Sequence, residues 1–322
     1  MSLRVGVLGC ADIALRRIGP ALAALPETTV AAVAGRSPGR AAEFARAFDC
    51  AATDYSGLLA RDDVDAVYLP LPPGLHFTWT RAALLAGKHV LVEKPLTPTS
   101  AEARELADLA LARGLVLREN FMFLHHRQHH VVRQAVRDGV LGAVRSLSAE
   151  FSIPPRPDGD IRYDPALAGG ALVDLGGYPI RLAQYLLGDG LTVLGAELTT
   201  DPDRGVDLRG VVTLAGDGVT ADLRFHLGGA YTNEYTVAGD RRSVHVARAF
   251  TPPADFEPEL RLSDGERLVA PAQDQVLAAV AAFASACAAP NARRERGRLA
   301  RSVRTTELLD AVRGAGLTPA PR

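Results

Sequence analysis

Cysteine is scarce in these 322 residues, with three at positions 10, 50 and 287. An odd count at those spacings fits no metal or redox motif and no disulfide framework, and leads us to expect a cytoplasmic protein with free thiols. Neither sign of charge is in excess: 36 Lys and Arg stand against 37 Asp and Glu, a net charge of −1. Bulk electrostatics therefore draw the chain neither to nucleic acid nor to a membrane surface. No apolar run approaches the roughly twenty residues that span a bilayer. The opening MSLRVGVLG passes straight into a strand-like alternation, so no secretory leader is expected. Repeats and low-complexity linkers are missing, and so are a G-x-S-x-G elbow and a metalloprotease motif, which leaves a hydrolase without support.

What is there is a globular mixture, 48% hydrophobic and 23% charged, in a chain long enough for two domains. Up to about residue 120, short apolar runs predict strands at Arg4–Gly9, Val30–Ala34, Ala66–Leu71, His89–Val92 and Leu115–Phe121. Helical stretches lie between them, such as Ser100–Arg113, with Thr99 or Ser100 as N-cap. Strands without polar alternation, separated by helices, predict a doubly wound parallel sheet covered on both faces. Beyond residue 120 the rhythm changes. A helix over 130–138, an extended run Val144–Ile153, a Pro-rich loop and a Gly-rich helix entry precede a strand-and-turn region from 191 to 270. Two helices, 273–289 and about 294–313, close the chain. The expected fold is α/β: a Rossmann domain over 1–120 and an α+β domain with a large, open, mostly antiparallel sheet over 121–322. Such a sheet, covered by helices on one face, leaves the other for a partner subunit, so a homodimer or homotetramer is expected.

The first strand runs into Gly6-Val7-Leu8-Gly9-Cys10-Ala11-Asp12-Ile13-Ala14 and then a helix. Small residues at such a turn let the backbone approach a pyrophosphate at a helix N-terminus. Gly9, Cys10, Ala11, Asp12 and Ile13 are thus candidate dinucleotide contacts, with Ala11 departing from the usual second glycine. Cys10 needs no reactive role there; a small residue beside a cofactor explains it. An acidic residue ending the second strand would favour NAD, but Arg36, Ser37 and Arg40 stand there instead and suit the 2′-phosphate of NADP(H).

Glu93-Lys94-Pro95 follows the strand His89–Val92, where ligands of open α/β sheets lie, and Asp174 and Tyr178 are spaced one helical turn apart. Hydride transfer to a ketone builds negative charge on oxygen and needs a proton. Lys94 suits the first task and Tyr178 the second, with Asp174 orienting substrate or phenol.

The segments VGVLGCADIA (5–14), DAVYLPLPPGLH (65–76), AGKHVLVEKPL (86–96), ENFMF (119–123) and GGALVDLGGYP (169–179) together resemble the glucose–fructose oxidoreductase/inositol dehydrogenase family. The resemblance implies catalysis by Lys94 and a proton donor or acceptor at Tyr178, where some members carry histidine. It also implies cofactor contacts from Leu71, Pro72, His76, Glu93 and Asn120. Within the family, ENFMFLHH (119–126), IPPRPDGDIRYD (153–164), AYTNEY (230–235) and AFTPP (249–253) are similar to nucleotide-sugar 3-ketoreductases of deoxysugar and antibiotic biosynthesis. That similarity implies NADPH-dependent reduction of carbon 3 of a dTDP-linked 3,4-diketo-2,6-dideoxyhexose, with substrate contacts from Phe123, Arg162, Tyr231 and Asn233. Arg162, Arg241 and Arg242 are candidate partners for the diphosphate. The histidine run 125–130 reads as substrate-facing, interfacial, solvated or, at i, i+4, metal-clamping, although no carboxylate or cysteine completes a metal site. The alternatives to a sugar-nucleotide reductase are an NADP-dependent dehydrogenase of free aldoses or dihydrodiols and a non-catalytic NADP-binding sensor.

Overall fold

The structure, a computed structural model, describes residues 2–316. The chain forms two compact units, one taking the residues up to Asn120 together with Val276–Val303, the other Phe121–Gln275 together with the chain from Arg304.

In the first unit six strands, β1 (Leu3–Leu8), β2 (Thr28–Ala34), β3 (Ala51–Thr53), β4 (Ala66–Leu69), β5 (His89–Val92) and β6 (Leu117–Glu119), form one sheet in the order β3-β2-β1-β4-β5-β6. Every pair is parallel. The helices α1 (Gly19–Ala24), α2 (Pro38–Ala47), α3 (Tyr55–Leu59), α4 (His76–Leu85) and α5 (Ser100–Ala112) alternate with the strands. Val5, Val7, Leu8, Val67, Leu69, Val90 and Val92 are wholly buried, which is why these strands read as unbroken apolar runs. Thr99 is the cap of α5: its hydroxyl accepts from the Glu102 N–H at 3.4 Å and donates to the Glu102 carboxylate at 3.0 Å. The run read as one strand over 115–121 pairs residue for residue with β5 from Leu117 to Glu119, and just before it Val116 turns its N–H to the His89 ring at 2.9 Å.

The second unit carries α6 (Arg127–Arg137), β7 (Val144–Ile153), α7 (Gly177–Leu187), β8 (Thr192–Asp201), β9 (Val206–Gly216), β10 (Val219–Leu227), β11 (Thr232–Gly239), β12 (Ser243–Ala247), β13 (Glu259–Leu262) and β14 (Arg267–Val269). The eight strands form one sheet, β14-β13-β12-β11-β7-β10-β9-β8, antiparallel except for the β7–β10 pair. Along β10 buried Ala221, Leu223, Phe225 and Leu227 alternate with exposed or half-exposed neighbours, the period of a sheet with one covered face. The β9–β10 hairpin turns on Asp217 and Gly218, both at positive φ, as a two-residue primed turn demands.

Two further helices follow, α8 (Gln275–Ala288) and α9 (Ala292–Ala315). Where the sequence suggested a second domain continuous from 121, residues 276–303 belong to the first unit. Leu299 joins that unit's apolar core, and Glu295 meets Arg118 of β6 at 2.7 Å. Among the described residues no helix is long and apolar enough to cross a membrane.

Candidate active site

The carboxyl edge of the first unit's sheet gathers the backbone turns that the sequence singled out. Gly9 follows β1 at φ +129°, a conformation suited to glycine, and a Cβ there would lie 2.7 Å from Leu71 Cδ2. Bare backbone is therefore presented at the turn, with Ala11 half-exposed behind it. Cys10 is half-buried, and burial pushes its thiol up, so it stays protonated. Across the turn Arg36, Ser37 and Arg40 are exposed at the N-terminus of α2, where Ser37 accepts from the Arg40 N–H at 3.4 Å. Arg40 also donates from Nε to the Cys10 carbonyl at 3.0 Å and from Nη2 to Asp12 at 3.1 Å. Asp12, expected among the cofactor contacts, is thus the exposed counter-ion of Arg40, while Ile13 is half-buried at the helix start.

Glu93 follows β5 and is buried, and its Oε1 accepts from Tyr68 Oη at 2.8 Å and Asn120 Nδ2 at 2.7 Å. Burial pushes the carboxyl above its usual range while those two donors hold it back. Lys94 follows, half-exposed, and then Pro95, joined to it by a cis peptide bond. His76 differs from the expectation of a cofactor contact. It is wholly buried, with Nδ1 2.8 Å from the Pro95 carbonyl oxygen and Nε2 2.8 Å from that of Leu71. Burial lowers its pKa to about 4. Its ring is a tie between the loop that packs Leu71 on Gly9 and the loop that carries Lys94. Pro72 is half-exposed at the head of α4.

In the second unit a wide, π-helical turn over Leu172–Gly176 leads into α7 and carries Asp174, with Tyr178 one residue inside the helix. Its start is gripped by Asp207, whose Oδ2 accepts from the Leu172 N–H at 2.6 Å. The half-buried Tyr178 ring is caged by Phe121, Phe123, Phe151 and Phe250, with centroids 5.5, 5.8, 5.0 and 5.5 Å away. Phe123, expected to touch substrate, is fully buried inside that cage. Arg162 donates from Nε to Asp174 at 2.6 Å and from Nη1 to Asp160 at 3.1 Å. Arg241 donates to the Gly139 carbonyl, and Arg242 pairs with Asp264 and Glu266 at 2.9 and 2.7 Å, so both serve turns rather than a diphosphate.

Asn233 is 5% exposed and fastens β11 to the segment 249–253. Its Oδ1 accepts from the Phe250 N–H at 2.7 Å, and its Nδ2 donates to Thr251 Oγ1 at 2.8 Å and Tyr231 Oη at 2.9 Å. Tyr231 itself is half exposed. The histidine run divides. His126 accepts from the Gln128 N–H as the α6 cap, His129 is buried between the Ala249 carbonyl and Tyr235, and His130 is exposed. Among the described residues no three His, Cys, Asp or Glu are grouped to hold a metal.

Residues 3–121 match the family described as "Oxidoreductase family, NAD-binding Rossmann fold", and residues 129–245 match the "GFO/IDH/MocA C-terminal domain". A Streptomyces violaceoruber protein named dTDP-3,4-didehydro-2,6-dideoxy-alpha-D-glucose 3-reductase is 52% identical over 98% of this chain and 95% of its own. The chain belongs to the Gfo/Idh/MocA oxidoreductase family. Another member, a Haloferax volcanii D-xylose 1-dehydrogenase (NADP(+)), is 38% identical over 82% of each chain. A solved structure, a 3-ketoreductase from Actinomadura kijaniata in complex with NADP and TDP-benzene, superposes with a TM-score of 0.94. It is 46% identical, with 98% of each chain covered. Structures of that reductase with a tyrosine or a lysine replaced also carry both ligands, and the two positions stand as far apart in its chain as Lys94 and Tyr178 do in this one.

The residues whose part in the site the sequence did not assign are Tyr68, Asp160, Asp207, Phe151 and Phe250. A lone phenol in the otherwise apolar β4 is a detectable sign of a buried partner, here Glu93. The cage around Tyr178 had no local sign, since its rings come from 121, 123, 151 and 250.

Proposed function

We propose that this protein is an NADPH-dependent ketoreductase that reduces the 3-keto group of a dTDP-linked 3,4-diketo-2,6-dideoxyhexose. The observation that carries the reading is the 52% identity, over 98% of the chain, to a reductase of that name. The site suits it. Gly9 keeps backbone bare at the β1 turn, and the guanidiniums of Arg36 and Arg40, with the Ser37 hydroxyl, stand where an NAD enzyme would carry a carboxylate. Those residues, with Glu93 and Asn120, would hold NADP(H), which when bound supplies the hydride.

The chain's own residues then handle charge and proton. The Lys94 ammonium stabilises the oxyanion that develops as the carbonyl carbon is reduced. The Tyr178 phenol donates the proton that completes the alcohol, and its aromatic cage keeps bulk water from the ring. Asp174 orients the substrate or the Tyr178 phenol. The protein is read as a homodimer or homotetramer associating through the uncovered sheet face, where Val211 stands exposed beside Arg209 and Arg224. A cytoplasmic setting agrees with three free thiols.

The xylose dehydrogenase relative favours a second reading, a dehydrogenase of free aldoses. Loss of NADPH absorbance with a dTDP-keto-sugar generated in situ, compared with NADP reduction by free aldoses, decides between them. Turnover of the nucleotide sugar alone supports the ketoreductase; turnover of free aldoses alone overturns it.

A further inference from the structure

We propose that Arg162 is a positioning residue that locks the Asp174 carboxylate in place, and not a ligand of the substrate's diphosphate. The inference rests on the ketoreductase reading, in which Asp174 and Tyr178 serve the reaction. Its basis is the set of contacts around one guanidinium. Nε donates to Asp174 Oδ2 at 2.6 Å, and Nη1 donates to both Asp160 oxygens at 3.1 and 3.3 Å. A diphosphate reaching Arg162 would have to displace the charge-assisted bonds to both carboxylates. The side chain is 29% exposed, so these bonds are shielded more than those of a surface pair.

The backbone of the same residue is fastened to the turn it serves. The Arg162 carbonyl accepts from the Gly170 N–H at 2.8 Å, and its own N–H donates to Asp160 Oδ1 at 3.0 Å. Gly169 passes so close that a Cβ would lie 2.5 Å from the Arg162 carbonyl oxygen. Gly170 in turn accepts from the Asp174 N–H at 3.1 Å, which closes a ring of contacts from Arg162 through Gly170 to Asp174 and back through the guanidinium. Side chain and main chain of one residue thus set both the position of Asp174 and the entry of the π-helical turn that leads to Tyr178. A lysine would bring the charge without the rigid planar fork, and so would hold the two carboxylates less firmly.

The test compares the full-length wild type with Arg162→Met, Arg162→Lys and Asp160→Asn. It measures kcat and KM on the substrate the wild type turns over, and Kd for dTDP and for NADPH by calorimetry. Positioning predicts that Arg162→Met loses about 10- to 100-fold in kcat, that Arg162→Lys recovers part of it, and that both Kd values stay within about 2-fold of wild type. A dTDP Kd weakened about 10-fold with kcat retained would make Arg162 a diphosphate ligand and overturn the proposal. Unchanged kcat in Arg162→Met overturns it too. If Arg162→Met does not fold, Asp160→Asn decides by sign. A diphosphate ligand released from one carboxylate would bind dTDP more tightly, whereas a positioning residue leaves dTDP binding unchanged and lowers kcat several-fold. A wild type that ignores dTDP-sugars but oxidises aldoses refutes the ketoreductase reading separately, and the loss of kcat in Arg162→Met is then read on the aldose.

Discussion

Acid should destabilise this protein well before its carboxylates titrate, because His129 is buried without charge. His129 is fully buried, its Nε2 2.8 Å from the Ala249 carbonyl oxygen and its Nδ1 3.1 Å from Tyr235 Oη. A neutral ring satisfies both, donating from Nε2 and accepting the phenol proton at Nδ1. Burial accordingly lowers its pKa from 6.5 to about 3. Between those values the unfolded chain binds a proton that the folded chain does not, so stability falls as pH drops from 6.5 toward 3 and is fully retained above 6.5. At 1.36 kcal/mol per unit, the shift of His129 corresponds to about 5 kcal/mol in full and about 2 kcal/mol by pH 5. His129 alone should therefore cost the wild type about 2 kcal/mol between pH 8 and pH 5, a sizeable fraction of the stability of a typical domain. Urea unfolding at both pH values, for wild type and His129→Gln, measures the loss; the variant, less stable at pH 8, should lose about 2 kcal/mol less on acidification. Equal losses in the two proteins, or an NMR titration placing folded His129 near 6.5, would refute the reasoning.

Lys94→Met and Tyr178→Phe should each lower kcat about 100-fold or more while leaving NADPH affinity within about 2-fold, by fluorescence titration; near-wild-type turnover in either variant removes that residue from the chemistry. Arg36→Ala combined with Arg40→Ala should weaken NADPH at least about 10-fold and leave NADH nearly unchanged, since only the 2′-phosphate loses its partners. Equal weakening of both cofactors would show instead that the Arg40 bonds to Cys10 and Asp12 shape the whole turn.

Much of the fold was legible because burial imposes a pattern on it. Strands covered on both faces became apolar runs, β10 kept its alternation, and the Gly-containing turns at 217–218 and 263–265 lie where the β9–β10 and β13–β14 hairpins reverse. The short β3 was not legible: three residues, Ala51–Thr53, are too few to show a period, and only pairing with β2 makes them a strand. The return of 276–303 to the first unit was hidden for a related reason, since an Ala- and Arg-rich helix carries no address. In the site, residue types were readable and neighbours were not. Arg162 looked like a free cation because Asp174 is twelve positions away, and His76 looked like a cofactor contact because nothing local shows both its nitrogens taken up by carbonyls. The same holds for Asn233, whose amide closes a turn eighteen residues downstream.

The place of β7 in its sheet has a consequence for how the chain assembles. Its two neighbours are β10 and β11, so a residue such as Leu147 finds its partner in Ala221, about 70 residues later. At roughly 5–20 residues per second, ribosomal synthesis leaves β7 without a partner for about 4–14 seconds. Throughout that wait it is an unpaired edge with Leu147, Phe151 and Ile153 on offer, the kind of segment that recruits other chains. Directly after Ile153 the chain reads Pro-Pro-Arg-Pro-Asp-Gly, three prolines that cannot donate to a ladder, followed by a charge and a turn. The segment that later leads to Arg162 and Asp174 thus also places next to this strand the prolines and charge that typically flank unavoidable apolar strands.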